Sequence, residues 1–159
     1  MPHEEQMKIE GLRSGYVKVG GMFHFARMCD KIRLHSEGKL PEDYHSLLGD
    51  GFDGRVVKFF RVPYDKVREL VLSGQSDEDV FAWCQANGRH LSEEDLLIFN
   101  SFMSKRGWRD EQEFGHNQQV RKEYGLADNP DIQTDFDLIE ADEGRPLDAW
   151  KDAWRPASE

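Results

Sequence analysis

Met22, Phe25, Met28/Cys29 and Ile32 recur at three- and four-residue intervals, the spacing of one helix face. They predict a helix from about Met22 to Ser36. Phe23 and Leu34 add a second stripe, so burial on two sides is expected. Gly20-Gly21 breaks the chain ahead of this helix and Gly38 ends it. Residues 1–19 read as an irregular arm in which Tyr16, Val17 and Val19 form a short strand or pack extended. From Lys39 to Gly54 the chain is polar, apart from Leu47-Leu48. Asp53 is placed to cap a helix carrying Val56, Val57, Phe59 and Phe60. Pro63 suits the first turn of a helix bearing Val67, Leu70 and Val71.

Two further starts are marked by Ser three residues ahead of Asp, the pattern of a capping box. Ser76 and Asp79 precede Val80, Phe81 and Cys84, with Asn87-Gly88 as the stop; Ser92 and Asp95 precede Leu96, Leu97 and Phe99, closed by Gly107. A polar helix is expected from about Asp110 to Tyr124. Beyond Gly125, Phe136, Leu138 and Ile139 sit among acids and read as a short extended segment. Pro146 opens a last turn or two of helix with Leu147, Trp150 and Trp154 on one side. A piece of that length is marginal alone in water, so its tryptophans need a partner: the domain's own core or a second subunit. The expected fold is all-α, a compact bundle of five to seven short helices. It comprises one domain over residues 1–144 and an acidic C-terminal tail over 145–159, docked as a short helix.

Charge narrows the partners. The net charge is −10, and residues 126–159 carry ten acids against three bases. That surface repels phosphate backbones, which argues against nucleic acid. No apolar run is long enough for a membrane span, and the polar N-terminus is unlike a signal peptide. Cys29 and Cys84 fall inside helical patterns and read as reduced core thiols, so the cytoplasm is the expected compartment.

Candidate chemistry concentrates between Gly20 and Arg55, where three of the six histidines fall (a fourth is His3). Arg33 lies within the edge of the main apolar face of the first helix, and Asp30 on its second stripe. The two are i,i+3 neighbours that can pair. A carboxylate among apolar groups is costly unless partnered, so the couple is either a structural ion pair or an anion site with Arg33 as ligand. His24 and His35 are eleven residues apart on one helix, roughly 16 Å along its axis, and cannot share an ion. His35 and His45 could approach across the loop with Asp50 or Asp53 as a third ligand, but the spacing matches no zinc or iron pattern and no metal is assigned. Asp50-Gly-Phe-Asp53-Gly-Arg55 lacks the ligand series of a calcium loop. Gly20-Gly21 lacks the Lys-Ser/Thr of a phosphate loop, so no cofactor is assigned either. Cys29 lies on an apolar face, where a thiol is inert.

Several runs resemble a known family. They are Leu12-Arg13-Ser14, Val19-Gly20-Gly21 and Arg27-Met28-Cys29-Asp30-Lys31-Ile32-Arg33, followed by Gly38-Lys39-Leu40, Asp43-Tyr44-His45 and Gly51-Phe52-Asp53. Arg106-Gly107-Trp108 and Phe136-Asp137-Leu138-Ile139-Glu140 extend the likeness, which covers about Leu12 to Gly144. The chain resembles the bacterial family catalogued as domain of unknown function 5069. The resemblance implies a small cytoplasmic bacterial domain and carries no catalytic residues. Where the family pattern has Pro ahead of the Arg-Met-x-Asp-Lys run, this chain has Phe25-Ala26, which implies a longer, less interrupted first helix.

Two functional readings follow. One is a non-catalytic binding or interaction domain with a polar groove between the first helix and the Gly38–Gly54 loop. It would take a small anionic molecule or a protein partner through Asp30, Arg33, His35, Tyr44, His45, Asp53 and Arg55. The other is an enzyme acting on a small anionic substrate through Asp30, Arg33, Tyr44 and His45, which requires those side chains to converge on one pocket. Separately, Trp150 and Trp154 offer a contact for a homo-oligomer.

Overall fold

The computed structural model describes residues 8–154, and among these the protein is all-α. Eight α-helices follow in order: α1 (Phe25–Ser36), α2 (Gly51–Phe60), α3 (Tyr64–Leu72), α4 (Asp77–Asn87), α5 (Glu93–Lys105), α6 (Phe114–Glu123), α7 (Asp135–Asp142) and α8 (Ala149–Ala153). A 3-10 helix, Glu42–Leu47, lies between α1 and α2. The described residues form two compact units, 11–100 and 101–154 with residues 8–10, and the division falls within α5.

In the first unit α1 is the hub, packing on α2, α3 and α4. Nine of its twelve residues are buried, including Arg27, Asp30 and Lys31 beside the expected apolar positions. Phe25 of α1, Phe60 of α2 and Phe81 of α4 meet edge to face in all three pairs, with centroids 5.3–6.2 Å apart. That arrangement suits the ring quadrupole and adds to the burial of three large side chains. α1 starts at Phe25 rather than Met22 because His24 adopts a left-handed backbone (φ 70°) and ends the preceding turn. Its last turn closes as a Schellman motif on Gly38, with Lys39 N–H to Leu34 O and Gly38 N–H to His35 O.

Gly20 and Gly21, both at positive φ, are the two central residues of a tight turn whose flanking residues Val19 and Met22 exchange both backbone hydrogen bonds. A Cβ on Gly20 would sit 2.2 Å from the Phe81 ring. Asn100 clamps the turn, accepting from Phe23 N–H and donating to Gly21 O at 2.9 Å each. Asp50, not Asp53, caps α2, its carboxylate accepting from Gly51 N–H. Asp53 stands in the first turn of that helix, completely buried. Of the two Ser/Asp pairs, Ser92 and Asp95 exchange both capping bonds, and Ser76 accepts from Asp79 N–H.

In the second unit Ile132, Leu138 and Ala141 form a small core, against which Val120, Leu126 and Leu147 pack. Residues 135–142, expected to be extended, are helix α7. The start signal is Thr134 with Asp137, a complete capping box that the acidic surroundings obscured. α6 begins at Phe114, four residues later than expected, because the Asp110 carboxylate holds a turn by accepting from Gly107, Gln112 and Glu113 N–H. The C-terminal helix α8 is present; Trp150 is exposed, while Lys105 lies over the Trp154 ring at 5.3 Å.

Asp135 of α7 accepts from the buried Asn117 of α6 at 2.8 Å, and Asn117 Oδ1 has no partner among the described residues. Burial pushes the Asp135 carboxyl up to about 6, helped by Glu113 and opposed by Asn117, His116 and Arg106.

Two outcomes follow from this packing. Gly20→Ala is expected to lower stability by about 1–3 kcal/mol, since it meets both a positive φ and the Phe81 ring; denaturant titration measures it, and an unchanged midpoint would contradict the turn. The raised pKa of Asp135 contributes stability that is complete below about pH 4 and lost as pH rises through its folded value. Asp135→Asn should therefore raise the melting temperature at about pH 7.5 and change it little at about pH 4. Equal shifts at both would mean the carboxyl is solvated.

Candidate functional site

α1 carries Asp30 and Lys31 in sequence, and the fold hands each to a different network. Asp30 is buried between two guanidinium groups. Arg13 from the N-terminal arm donates to it from Nε at 2.8 Å, from Nη2 at 3.0 Å and from the backbone N–H at 3.0 Å. Arg33, one turn along α1, donates from Nη1 at 3.3 Å. Both arginines also reach Asp77, the first residue of α4. The result is a closed ring of two carboxylates and two guanidinium groups that joins the arm, α1 and α4. Its carboxylates are under a tenth exposed, whereas the Arg13 and Arg33 side chains are 40% and 34% exposed. Burial would push Asp77 up, but the bonds from Arg13 and Arg33 outweigh it and hold the carboxyl below its ordinary range.

The second network lies wholly inside. Asp53 takes His24 Nε2 at 2.7 Å on one oxygen, and Lys31 Nζ at 3.0 Å with Gly49 N–H at 3.1 Å on the other. Lys31 also donates to Leu47 O, so α1, α2 and the loop between them share one buried charge pair. Burial keeps His24 neutral, lowering its pKa against the opposing pull of Asp53, and its Nδ1 has no hydrogen-bond partner among the described residues. Burial pushes Asp53 up, yet His24 and Lys31 outweigh it, so the carboxylate stays ionised. A His–Asp couple of this kind resembles catalytic machinery, but with both residues at most 2% exposed no substrate reaches it. Its work is to hold α1 against α2.

A third group joins α1 to the 3-10 helix. The His35 and His45 rings meet edge to face, 4.8 Å between centroids. His45 Nε2 is 2.9 Å from Leu40 O; the His35 ring makes no hydrogen bond or ion pair among the described residues. Tyr44 is half-buried beside them in sequence, and Arg55 is exposed on α2.

The residues predicted from sequence are thus divided: Asp30 with Arg33, His35 with His45, and Asp53 in the interior rather than at a helix cap. Its oxygens are committed to His24, Lys31 and Gly49, so it is not a third ligand beside His35 and His45. Among the described residues no three His, Cys, Asp or Glu side chains are grouped to hold a metal. Sequence reading does not single out Arg13, Asp77 or Lys31, and it weighs His24 only as a metal ligand. Arg13 lay in the Leu12-Arg13-Ser14 run, and Asp77 was hidden because an acid just after a Ser cap is ordinary helix chemistry. Cys29 and Cys84 are free and buried, and burial pushes the Cys84 thiol up to about 12, so neither is a nucleophile.

The family model described as domain of unknown function (DUF5069) matches residues 9–145, and the chain belongs to that family. No curated protein matches it.

The two charge networks differ in a measurable way. Arg33→Ala leaves Arg13 bridging Asp30 and Asp77 and is expected to cost about 1–2 kcal/mol in denaturant titration. Asp53→Ala strips three buried donors of their acceptor and is expected to cost about 3–5 kcal/mol. The reverse order would place the principal strength of the fold in the ring.

Proposed function

We propose that this chain is a non-catalytic binding domain that takes a small anionic molecule in the polar groove between α1 and the 38–54 loop. The observation that carries the reading is the His35–His45 pair. The fold commits the interior Asp, Lys and His24 to one another, yet sets two imidazoles against each other, with no hydrogen bond to the His35 ring among the described residues. Imidazole N–H groups donate to a carboxylate or phosphate oxygen, and protonation strengthens that bond. Arg33, two residues before His35, lies on another face of α1 and is engaged by Asp30 and Asp77, so the two imidazoles carry the recognition.

Binding is favoured over catalysis because Asp30 and Arg33, two of the four groups an enzyme would need, are engaged with Arg13 and Asp77. Two buried free thiols and a net charge of −10 support a bacterial cytoplasmic setting and weigh against nucleic acid. No described helix is long and apolar enough to cross a membrane. The exposed Trp150 on α8 supports a second proposal, self-association through that tail, with Trp154 beside it.

A thermal-shift screen of the full chain against small carboxylates, sugar phosphates and nucleotides tests the groove. A ligand should raise the melting temperature, and His35→Ala with His45→Ala should abolish the increment. A ligand whose effect survives both substitutions would move the site elsewhere.

A further inference from the structure

The unit from residue 101 onward carries 14 acids against eight bases, yet one cleft on it is lined by two arginines that pair with no acid among the described residues. The cleft has a volume of about 240 Å³ and is lined by Trp108, Arg109, Phe114, Gln118, Arg121 and Gln133, with Pro130 at its edge. Among the described residues Arg109 forms no ion pair; its guanidinium lies 5.0 Å from the centre of the Trp108 ring, and its backbone is left-handed at φ 54°. That conformation is uncommon for a residue with a Cβ and is retained where the surroundings impose it. Arg121 is anchored through Nη2 to Ala127 O at 3.1 Å and Asn129 O at 3.5 Å, which leaves Nη1 without a partner among the described residues. The two aromatic rings, Trp108 and Phe114, are 41% and 44% exposed.

Each feature alone is ordinary on a protein surface. Their union in one concavity is not, because apolar rings beside unpaired guanidinium groups fit an amphipathic anion. A planar ring laid on Trp108 and Phe114 recovers the apolar contact they lack, and an indole or phenyl face also stacks on a guanidinium plane. The ligand's acidic group then meets guanidinium donors in the fork geometry that suits carboxylate and phosphate. Gln133 is held by its own bond to Pro130 O at 3.0 Å, and Gln118 supplies a further amide. Drug-sized ligands fill roughly 300–1,000 Å³, so this cleft is sized for one ring and its acidic group.

We propose that the cleft binds a small organic anion built on a single planar ring, with Arg109 and Arg121 receiving the acid and Trp108 the ring. This site is independent of the groove beside α1, and neither proposal requires the other.

The test follows the Trp108 indole resonance of the full chain by NMR during titration with benzoate and phenyl phosphate. Benzamide, acetate and inorganic phosphate serve as controls. Saturable shifts with either ring anion, at least about tenfold weaker for every control, are expected, and the stronger of the two names the acid. Arg109→Gln and Arg121→Gln should each weaken binding by about tenfold or more with the melting temperature kept. Because Arg121 also anchors a loop, a misfolded R121Q leaves R109Q to decide. No saturable shift up to about 5 mM would overturn the proposal. So would benzamide binding as well as benzoate, inorganic phosphate matching phenyl phosphate, or R109Q binding like the parent.

Discussion

A charged side chain can enter a protein interior only with partners that replace its water, and α1 forces that requirement twice in succession. Asp30 and Lys31 are neighbours on a helix that is buried on several sides. Neighbours on a helix point about 100° apart, so one partner cannot serve both. The chain meets this with two separate assemblies: arginines from the arm and from α1 itself around Asp30, and the Asp53 carboxylate for Lys31. The positions of the arm, α2 and α4 around α1 follow from where those partners had to be. Apolar burial drives the collapse, but directional charge pairs select which faces meet.

The sequence made much of this legible where the signal is local. Spacing of Met22, Phe25, Cys29 and Ile32 identified the central helix, Ser92 with Asp95 identified the start of α5, and Gly38 and Gly125 identified two ends. What failed was a competition between signals. Phe136, Leu138 and Ile139 looked extended because acids interrupt them, while the stronger cue was Thr134 three residues before Asp137. The start of α1 depends on the left-handed backbone of His24, whose ring bonds Asp53, 29 residues away.

The candidate site was legible in one respect, that Asp30 and Arg33 pair, and the approach of His35 to His45 was anticipated from the loop between them. The rest was invisible because it is long-range. Arg13 is 17 residues from Asp30, and Asp77 is 44 from Arg33; no periodicity or spacing rule links them. The cleft at Trp108 is not legible because its members are scattered from residue 108 to 133 and none of them is an acid, a histidine or a cysteine, the residue types that mark acid–base and metal sites.

Asn100 carries one more implication. Its amide satisfies Phe23 N–H and Gly21 O, partners 77 and 79 residues earlier. Such a clasp is fastened across nearly the whole span of its unit, so entropy opposes it until other contacts have shortened the loop. During synthesis the Gly20-Gly21 turn therefore waits, without its side-chain bonds, until most of α5 has left the ribosome. The earliest-made part of this unit is among the last to be secured.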